Sequence, residues 1–262
     1  MQTHSKFGGL WVDRLDAHHV LEARTLAGEL SADLSKKILE FMKNGYVVFR
    51  GAVPKDVTSK IREELEHHYQ SPPKEALVET WVDGQQQFVP PRPELREGTT
   101  KLLDFHAFSA TARVAIAAPV VVEFLTAIFE EKPRAFQSLT FWRGSEQAIH
   151  KDTAYVQIEG APMNLAASWL ALEDIADGTG ELEYYVGSHR DPDFLFAGHS
   201  KWVSDAMQEH DMFLTSMHEN ARKYSRRKAS FLAREGDVLV WHADLAHGGS
   251  KITKPGRSRQ SL

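Results

Sequence analysis

The sequence predicts a mainly β protein of the α+β class, with N-terminal helices packed on a C-terminal β-sandwich or barrel. In the first half of the chain, apolar residues recur at helical spacing. From Ala135 onward, short apolar runs rich in aromatic and branched residues are separated by turns. The 262 residues are 42% hydrophobic and 26% charged, which is typical of a globular protein and excludes disorder as the main description.

Three helices are predicted in the first half. The first lies between Ser31, a residue type that caps helices, and Gly45, a residue type that ends them. The second opens at Pro54 and the third follows Pro119. A short buried strand, residues 46–50, separates the first two helices. The apolar faces of the three helices consist of Leu34, Ile38, Phe41 and Met42, then Val57, Ile61 and Leu65, then Val121, Phe124, Leu125 and Ile128.

Two segments depart from this order. Residues 71–98 are rich in Pro, Gln and Glu and are too long and irregular for an ordinary connection. Residues 191–228 are polar, with helix predicted around 203–220. Either these segments flank the mouth of a substrate site, or their aromatic side chains only fasten them to the β region. The residues concerned are Trp81, Phe88, Trp202, Tyr224, Arg226 and Arg227.

No internal repeat or clean linker divides the chain, so the sequence predicts one domain over residues 1–262. Its helical support covers about residues 1–130, and its β core covers about residues 131–262 with the insert at 191–228. We expect no nucleic-acid partner, because 31 basic against 36 acidic residues give a net charge of −5. The N-terminus lacks a basic and then apolar leader, which predicts a soluble, cytoplasmic protein without a membrane partner. The sequence does not indicate an oligomeric state.

The candidate metal ligands are two histidines and one aspartate. The chain has no cysteine, so any metal must be bound by His, Asp or Glu. His150 and Asp152 are two residues apart after a predicted strand, and their side chains therefore point to the same side. His247 follows another predicted strand. Two histidines and one carboxylate form the facial triad of non-haem Fe(II) oxygenases. His242 competes with His247, but in an extended chain it would face the opposite side.

A basic segment follows His247. Arg259 and Ser261, two residues apart on a predicted strand, could offer a guanidinium and a hydroxyl to one carboxylate. Arg257 lies on the same side of such a strand, so either arginine could be the anchor. An exposed basic tail is the alternative interpretation.

The residues from about Gly45 to the end resemble the phytanoyl-CoA dioxygenase-like family of Fe(II)/2-oxoglutarate-dependent oxygenases. The resemblance rests on ordered motifs: FQSL at 136–139, GSEQAIHKD at 144–152, WLALED at 169–174, GELEYYVGSH at 180–189 and the two C-terminal segments. It implies a double-stranded β-helix, the jelly-roll or cupin-like fold, in which the catalytic residues bind Fe(II). These implied ligands are His150, Asp152 and His247.

The resemblance also implies that Arg259, helped by Ser261, binds the distal carboxylate of 2-oxoglutarate. The implied reaction uses O₂ to oxidise a small-molecule substrate, with release of succinate and CO₂. The presence of Asp152 favours hydroxylation, desaturation or ring closure over halogenation. The other implied cosubstrate contacts are Gln137, Leu139, Trp169 and Lys101.

The sequence departs from the family pattern at two places, and two other classes of protein are alternatives to an oxygenase. Val186 stands where the family often has proline, and the chain ends one residue after Ser261, so it is either truncated or has an unusually short final strand. A cupin-like metal enzyme that does not use 2-oxoglutarate would need no anchor at Arg259 and Ser261. A non-catalytic binding module on the same scaffold should have lost the triad. A zinc hydrolase is disfavoured because no His-Glu-x-x-His pattern is present.

Overall fold

A computed structural model describes residues 3–161 and 163–262. The predicted single domain also includes Met1, Gln2 and Pro162, which lie outside the described residues. The helices are α1 (Ala17–Leu26), α2 (Ala32–Asn44), α3 (Lys55–Gln70), α4 (Phe105–Phe108), α5 (Ala110–Ile116), α6 (Pro119–Phe129) and α7 (His210–Lys223). The strands are β1 (Tyr46–Phe49), β2 (Val78–Val82), β3 (Gln85–Val89), β4 (Lys101–Leu103), β5 (Leu139–Thr140), β6 (Ala166–Leu170), β7 (Leu182–Tyr185), β8 (Lys228–Ser230), β9 (Val238–His242) and β10 (His247–Gly249).

The three helices predicted from apolar periodicity are confirmed as α2, α3 and α6. The Ser31 hydroxyl accepts the Leu34 N–H at 3.2 Å at the start of α2, and Gly45 ends that helix at φ 79°. Pro119 is the first residue of α6, whereas Pro54 immediately precedes α3. Among the described residues, no single helix has the length and apolar character to cross a membrane; only α5 and α6 together do, with a 54° bend.

Antiparallel pairing joins the strands into two larger units. Strands β1, β9 and β6 form one set, and β5, β4, β2 and β3 form another. The last residues of the chain connect these sets, because Ser261 pairs with Ala171 after β6 and with Phe141 after β5. We call the connected strands the large sheet. Strands β10, β7 and β8 form the small sheet.

The two faces of the large sheet belong to different apolar clusters. Leu102 and Leu170 pack with the helices, for example with Phe124 of α6. Trp169 and Trp241 point to the other face, where they share a cluster with small-sheet residues. Because side chains alternate along a strand, each large-sheet strand presents one set of residues to the helices and the next set to the small sheet. We call the second surface the inner face.

Both long segments contain more regular structure than the sequence indicated. The expectation that residues 71–98 are irregular is wrong, because β2 and β3 form a hairpin there. Its turn is Asp83-Gly84, with both residues at positive φ. An Asp-Gly pair between strands is a hairpin signal that the sequence analysis missed. The helix expected within 191–228 is confirmed, although α7 begins at His210.

Candidate active site

His150, Asp152 and His247 meet where the chain before Asp152 runs beside β10. His150 and His247 form an isolated antiparallel bridge, with reciprocal N–H···O distances of 2.8 and 2.9 Å, so their side chains lie on the same side. Their ligand atoms and one from Asp152 all lie within 4.8 Å of one another. Gly248 permits this approach, because a Cβ there would lie 2.6 Å from the Gln147 carbonyl oxygen.

The hydrogen bonds of the three residues leave one metal-binding atom of each directed at the space between their side chains. His150 Nδ1 lies 2.8 Å from the Ala148 carbonyl, and His247 Nδ1 lies 2.8 Å from the Leu245 carbonyl. A carbonyl only accepts, so each Nδ1 carries the proton and each Nε2 has a lone pair for a metal. The Gln147 side-chain amide makes a long contact with His150 Nε2, at 3.4 Å, which a metal would replace. Asp152 Oδ1 lies 3.6 and 3.5 Å from the two Nε2 atoms. Three converging donors of this kind fit a divalent iron ion with open coordination positions.

The ionisation states suit metal binding. Burial lowers the pKa of His247 to about 4, so its imidazole is neutral at pH 7. Burial would raise the pKa of Asp152, but the neighbouring His247 and His150 and the Trp241 hydrogen bond outweigh it and lower the pKa. A neutral imidazole and an ionised carboxylate are the forms that bind metal.

Arg259 is a buried cation with no carboxylate at ion-pair distance among the described residues. It is 3% exposed, and it donates to the Gly180 carbonyl at 2.9 Å and to the Ser261 hydroxyl at 2.6 Å. Its guanidinium lies over the rings of Phe141 and Trp169, at 5.2 and 5.5 Å from their centroids. Burial lowers its pKa to about 10 although the charges of Glu181 and Glu173 act to raise it, so the group is still charged at pH 7. A buried charge of this kind calls for an anionic partner, which a dicarboxylate would supply.

The other residues predicted to contact the cosubstrate differ in their burial and in their partners. Arg257 is exposed, so Arg259 is the arginine that lies inside. Trp169 is buried beside Arg259, and Leu139 is half-buried on β5. Lys101 is already paired with Glu79, at 2.9 Å. Gln137 is exposed, and in the described part of the chain neither Gln137 nor Lys101 hydrogen-bonds with the triad or with Arg259.

His242 lies on the opposite side of its strand from the metal-ligand cluster, as the alternation predicted. It is buried with Nε2 3.2 Å from Asp13 Oδ2, and its ring packs against Phe41 and His189. His189 Nε2 lies 3.2 Å from the Met42 carbonyl oxygen. These contacts fit a structural role for both histidines.

Two residues beside the cluster were missed by the sequence analysis. The Trp241 indole N–H donates to Asp152 Oδ2 at 2.9 Å and so leaves Oδ1 for a metal. Tyr155 packs edge-on against His150, and its hydroxyl lies 2.7 Å from His210 Nε2 in α7. Burial raises the pKa of Tyr155 to about 12. Strand alternation in DVLVWH, with His242 facing outward, would have placed Trp241 inward; no local pattern indicated the contact of Tyr155 with α7.

A converging His–Asp–His cluster with two buried histidines, in a fold that also buries Arg259, is typical of the class of non-haem iron oxygenases. The family model described as phytanoyl-CoA dioxygenase (PhyH) matches residues 41–261, and the chain belongs to that family. Family membership and the metal-ligand cluster together make the protein an iron- and 2-oxoglutarate-dependent oxygenase. A search of curated proteins found no match to the chain.

Solved structures share the fold at low sequence identity. The non-heme alpha ketoglutarate dependent epimerase SnoN from nogalamycin biosynthesis has a TM-score of 0.62 and 16% identity, over 88% of this chain and 81% of its own. The carbocyclase SnoK from the same biosynthesis has a TM-score of 0.61 and 14% identity, over 90% and 83%. EctD from S. alaskensis has a TM-score of 0.61 and 16% identity, over 88% and 75%. Similarity at these identities supports the fold alone.

Proposed function

We propose that His150, Asp152 and His247 bind Fe(II), that Arg259 binds the distal carboxylate of 2-oxoglutarate, and that the enzyme hydroxylates or otherwise oxidises a small organic molecule. The observation that carries this proposal is the buried, unpaired Arg259 in the same fold as a converging His–Asp–His cluster. An enzyme that used its metal without a keto acid would not need an anchor for a distal carboxylate. From the sequence features alone, we further propose that it acts in the cytoplasm.

We also propose that the two sheets form a double-stranded β-helix. The support is that both contribute to one apolar cluster, and that Trp241 of the large sheet packs against His247 of the small sheet, with ring centroids 4.8 Å apart. In this arrangement Trp169 and Leu139 line the cosubstrate pocket. Lys101 would reach the cosubstrate only after leaving Glu79, and Gln137 would need to turn inward.

The protein's own groups would hold and orient the reactants. When bound, iron and 2-oxoglutarate supply the oxidation, in which O₂ is consumed and succinate and CO₂ are released as the substrate is oxidised. The Ala148 and Leu245 carbonyls fix the two imidazoles, and Trp241 orients the carboxylate. Arg259 and Ser261 would orient the cosubstrate, and the ring of Phe141 would exclude water beside the guanidinium.

A small-molecule substrate is consistent with the ligands of the similar structures. SnoN is described in complex with Fe3+, alpha ketoglutarate and nogalamycin RO. EctD is described with 2-oxoglutarate and 5-hydroxyectoine. We propose the same broad class, a small organic molecule, for this chain.

An anaerobic titration with Fe(II) and then 2-oxoglutarate tests the proposal. The wild-type protein should develop the weak visible charge-transfer band of an iron-chelated keto acid. Arg259→Ala should raise the 2-oxoglutarate concentration needed for the band at least tenfold, because a buried charge-assisted contact is lost. Arg257→Ala is the matched control, since that arginine is exposed, and it should titrate like the wild type.

Asp152→Ala extends the same experiment to the metal. It should remain folded by circular dichroism, lose the band and lose substrate oxidation. An Asp152→Ala protein with full activity would remove this carboxylate from the site. Iron binding by the wild type without a band would favour an enzyme that does not use a keto acid.

A further inference from the structure

The inner face of the large sheet continues well beyond the candidate site. Ser261 and Phe141 are direct partners, so the ring beside Arg259 lies on the inner face. Leu139 is two residues before Phe141 on the same face and pairs with Leu103 on β4. Since direct antiparallel partners share a face, Leu103 and Lys101 also belong to the inner face.

The same register extends this face across the β2–β3 hairpin. Lys101 pairs with Glu79 on β2, and Glu79 pairs with Phe88 on β3. Trp81, two residues after Glu79, lies on that face as well. The residues next to them in sequence confirm the assignment: Val78 and Leu102 point the other way, are fully buried and belong to the helix-side cluster.

Three large apolar side chains on this stretch of the inner face are exposed. Trp81 is 61% exposed and Phe88 is 54% exposed, and Leu77 on the same side is 39% exposed. Three large apolar side chains on one sheet face form an unusual surface for a protein to present to water. We call Leu77, Trp81 and Phe88, together with the Glu79–Lys101 pair, the aromatic wall.

The charges of the aromatic wall cancel. Lys101 Nζ lies 2.9 Å from Glu79 Oε1, and less than a fifth of either side chain is exposed. The pair leaves spare hydrogen-bonding capacity for one polar substituent but no net charge to bind an ionic group. The wall therefore suits an uncharged ring compound better than a carboxylic acid.

We propose that the aromatic wall binds the ring system of the enzyme's substrate, and that this substrate is a flat, uncharged, ring-containing molecule with a hydroxyl or carbonyl group. The inference rests on the proposed function. Strands lie about 4.8 Å apart, so Trp81 on β2 is three strand steps, about 15 Å, from the strand that carries Arg259. That distance is longer than two or three fused rings, so the substrate must extend beyond the rings that lie on the wall to bring its oxidised carbon to the candidate site.

Binding of prodan, an uncharged naphthalene dye with polarity-sensitive fluorescence, tests the wall without requiring iron or turnover. Wild-type protein should bind the dye, and Trp81→Ala and Phe88→Ala should each weaken binding at least fivefold. Trp81→Phe should restore most of the affinity. Val82→Ala is the matched control, because Val82 is on the same hairpin but the opposite face, and it should bind as the wild type does.

Competition defines the ligand class and its location. Naphthol should displace prodan at least tenfold better than decanoate, and Mn(II) added with 2-oxoglutarate should enhance the relaxation of the bound dye's protons. Equal binding by wild type and Trp81→Ala, equal competition by decanoate, or no effect of Mn(II) would overturn the proposal. The iron–keto acid band should be unchanged in Trp81→Ala, so a failed wall and a failed cosubstrate site give different results.

Discussion

At the scale of single residues, hydrogen bonds prepare the candidate ligands before any metal arrives. Backbone carbonyls fix the tautomers of His150 and His247, and the Trp241 indole occupies one oxygen of Asp152. Outer contacts of this type orient ligands and commonly change metal affinity 10- to 100-fold when removed. Of these contacts, the one made by Trp241 can be removed by a side-chain substitution that keeps an aromatic ring.

Trp241→Phe should weaken Fe(II) binding about tenfold or more while the protein stays folded. The reason is that Asp152 loses the donor that holds its Oδ2 and can rotate away from the histidines. Anaerobic metal titration gives the affinity, and circular dichroism reports the fold. Trp11→Phe is the matched control, because it removes a buried indole hydrogen bond to the Ala127 carbonyl far from the site. Unchanged iron affinity in Trp241→Phe would contradict the orienting role.

At the scale of elements, a buried ion-pair network links the two ligand-bearing segments to the insert. Asp244, 2% exposed and three residues before His247, accepts from Thr153 at 2.5 Å. It also accepts from Lys201 of the insert at 2.7 Å, and Lys201 reaches Asp193 at 2.5 Å. Burial opposes ionisation of Asp244, but Lys201 and other neighbouring cations outweigh it and lower its pKa far below the usual range. The position of His247 relative to Asp152 thus depends on Asp244.

Asp244→Asn should lower the free energy of unfolding by about 3–5 kcal/mol, because it leaves a buried ammonium short of one partner. Urea denaturation measures the effect. The half-exposed pair of Lys228 with Glu183 provides the control, and Glu183→Gln should cost no more than about 1 kcal/mol. Equal, small losses in both variants would show that the network does not hold the segments together.

At the scale of the whole molecule, the N-terminal segment connects to the back of the sheet that carries the site. Asp13 Oδ2 lies 3.2 Å from Nε2 of the buried His242 on β9. Burial alone would lower the pKa of His242, but the charge and hydrogen bond of Asp13 raise it. The Asp244 carboxylate favours the charged ring as well, whereas Lys201 opposes it, as does the Asp244 backbone N–H, which donates to His242 Nδ1 at 3.0 Å. The adjacent His189 has its own pKa well below normal because of burial.

The His242–Asp13 pair predicts a pH-dependent contribution to stability. A histidine whose pKa is raised by folding stabilises the folded state fully below its unfolded pKa of about 6.5, and the contribution is lost as the pH rises through the folded value. The free energy of unfolding of wild type minus that of His242→Gln should therefore be largest near pH 6 and smaller near pH 9. The buried His189, whose pKa is lowered, contributes to stability with the opposite dependence on pH. Both proteins contain His189, so the wild type and His242→Gln are compared with each other at each pH. A difference that grows with pH would contradict the pairing.

Much of the fold and of the candidate site could be predicted from local patterns. The bounds of α2 depend on Ser31, Gly45 and apolar spacing within a few turns, and such short-range preferences act wherever the segment lies in the fold. The same holds for strand alternation, which placed His247 and not His242 beside His150 and Asp152.

The sequence by itself therefore determined α2, α3, α6 and the helix of the insert, the strand texture of the second half, the family resemblance and the identity of the candidate ligands. Tertiary structure alone decided that Arg259 is buried and Arg257 exposed, that Lys101 pairs with Glu79, and that Asp244 connects to the insert. It also decided that the inner face runs unbroken to Trp81. The physical reason is that these contacts depend on strand register and on partners far apart in the chain, and the energy that selects them comes from burial and pairing formed only when the sheets assemble.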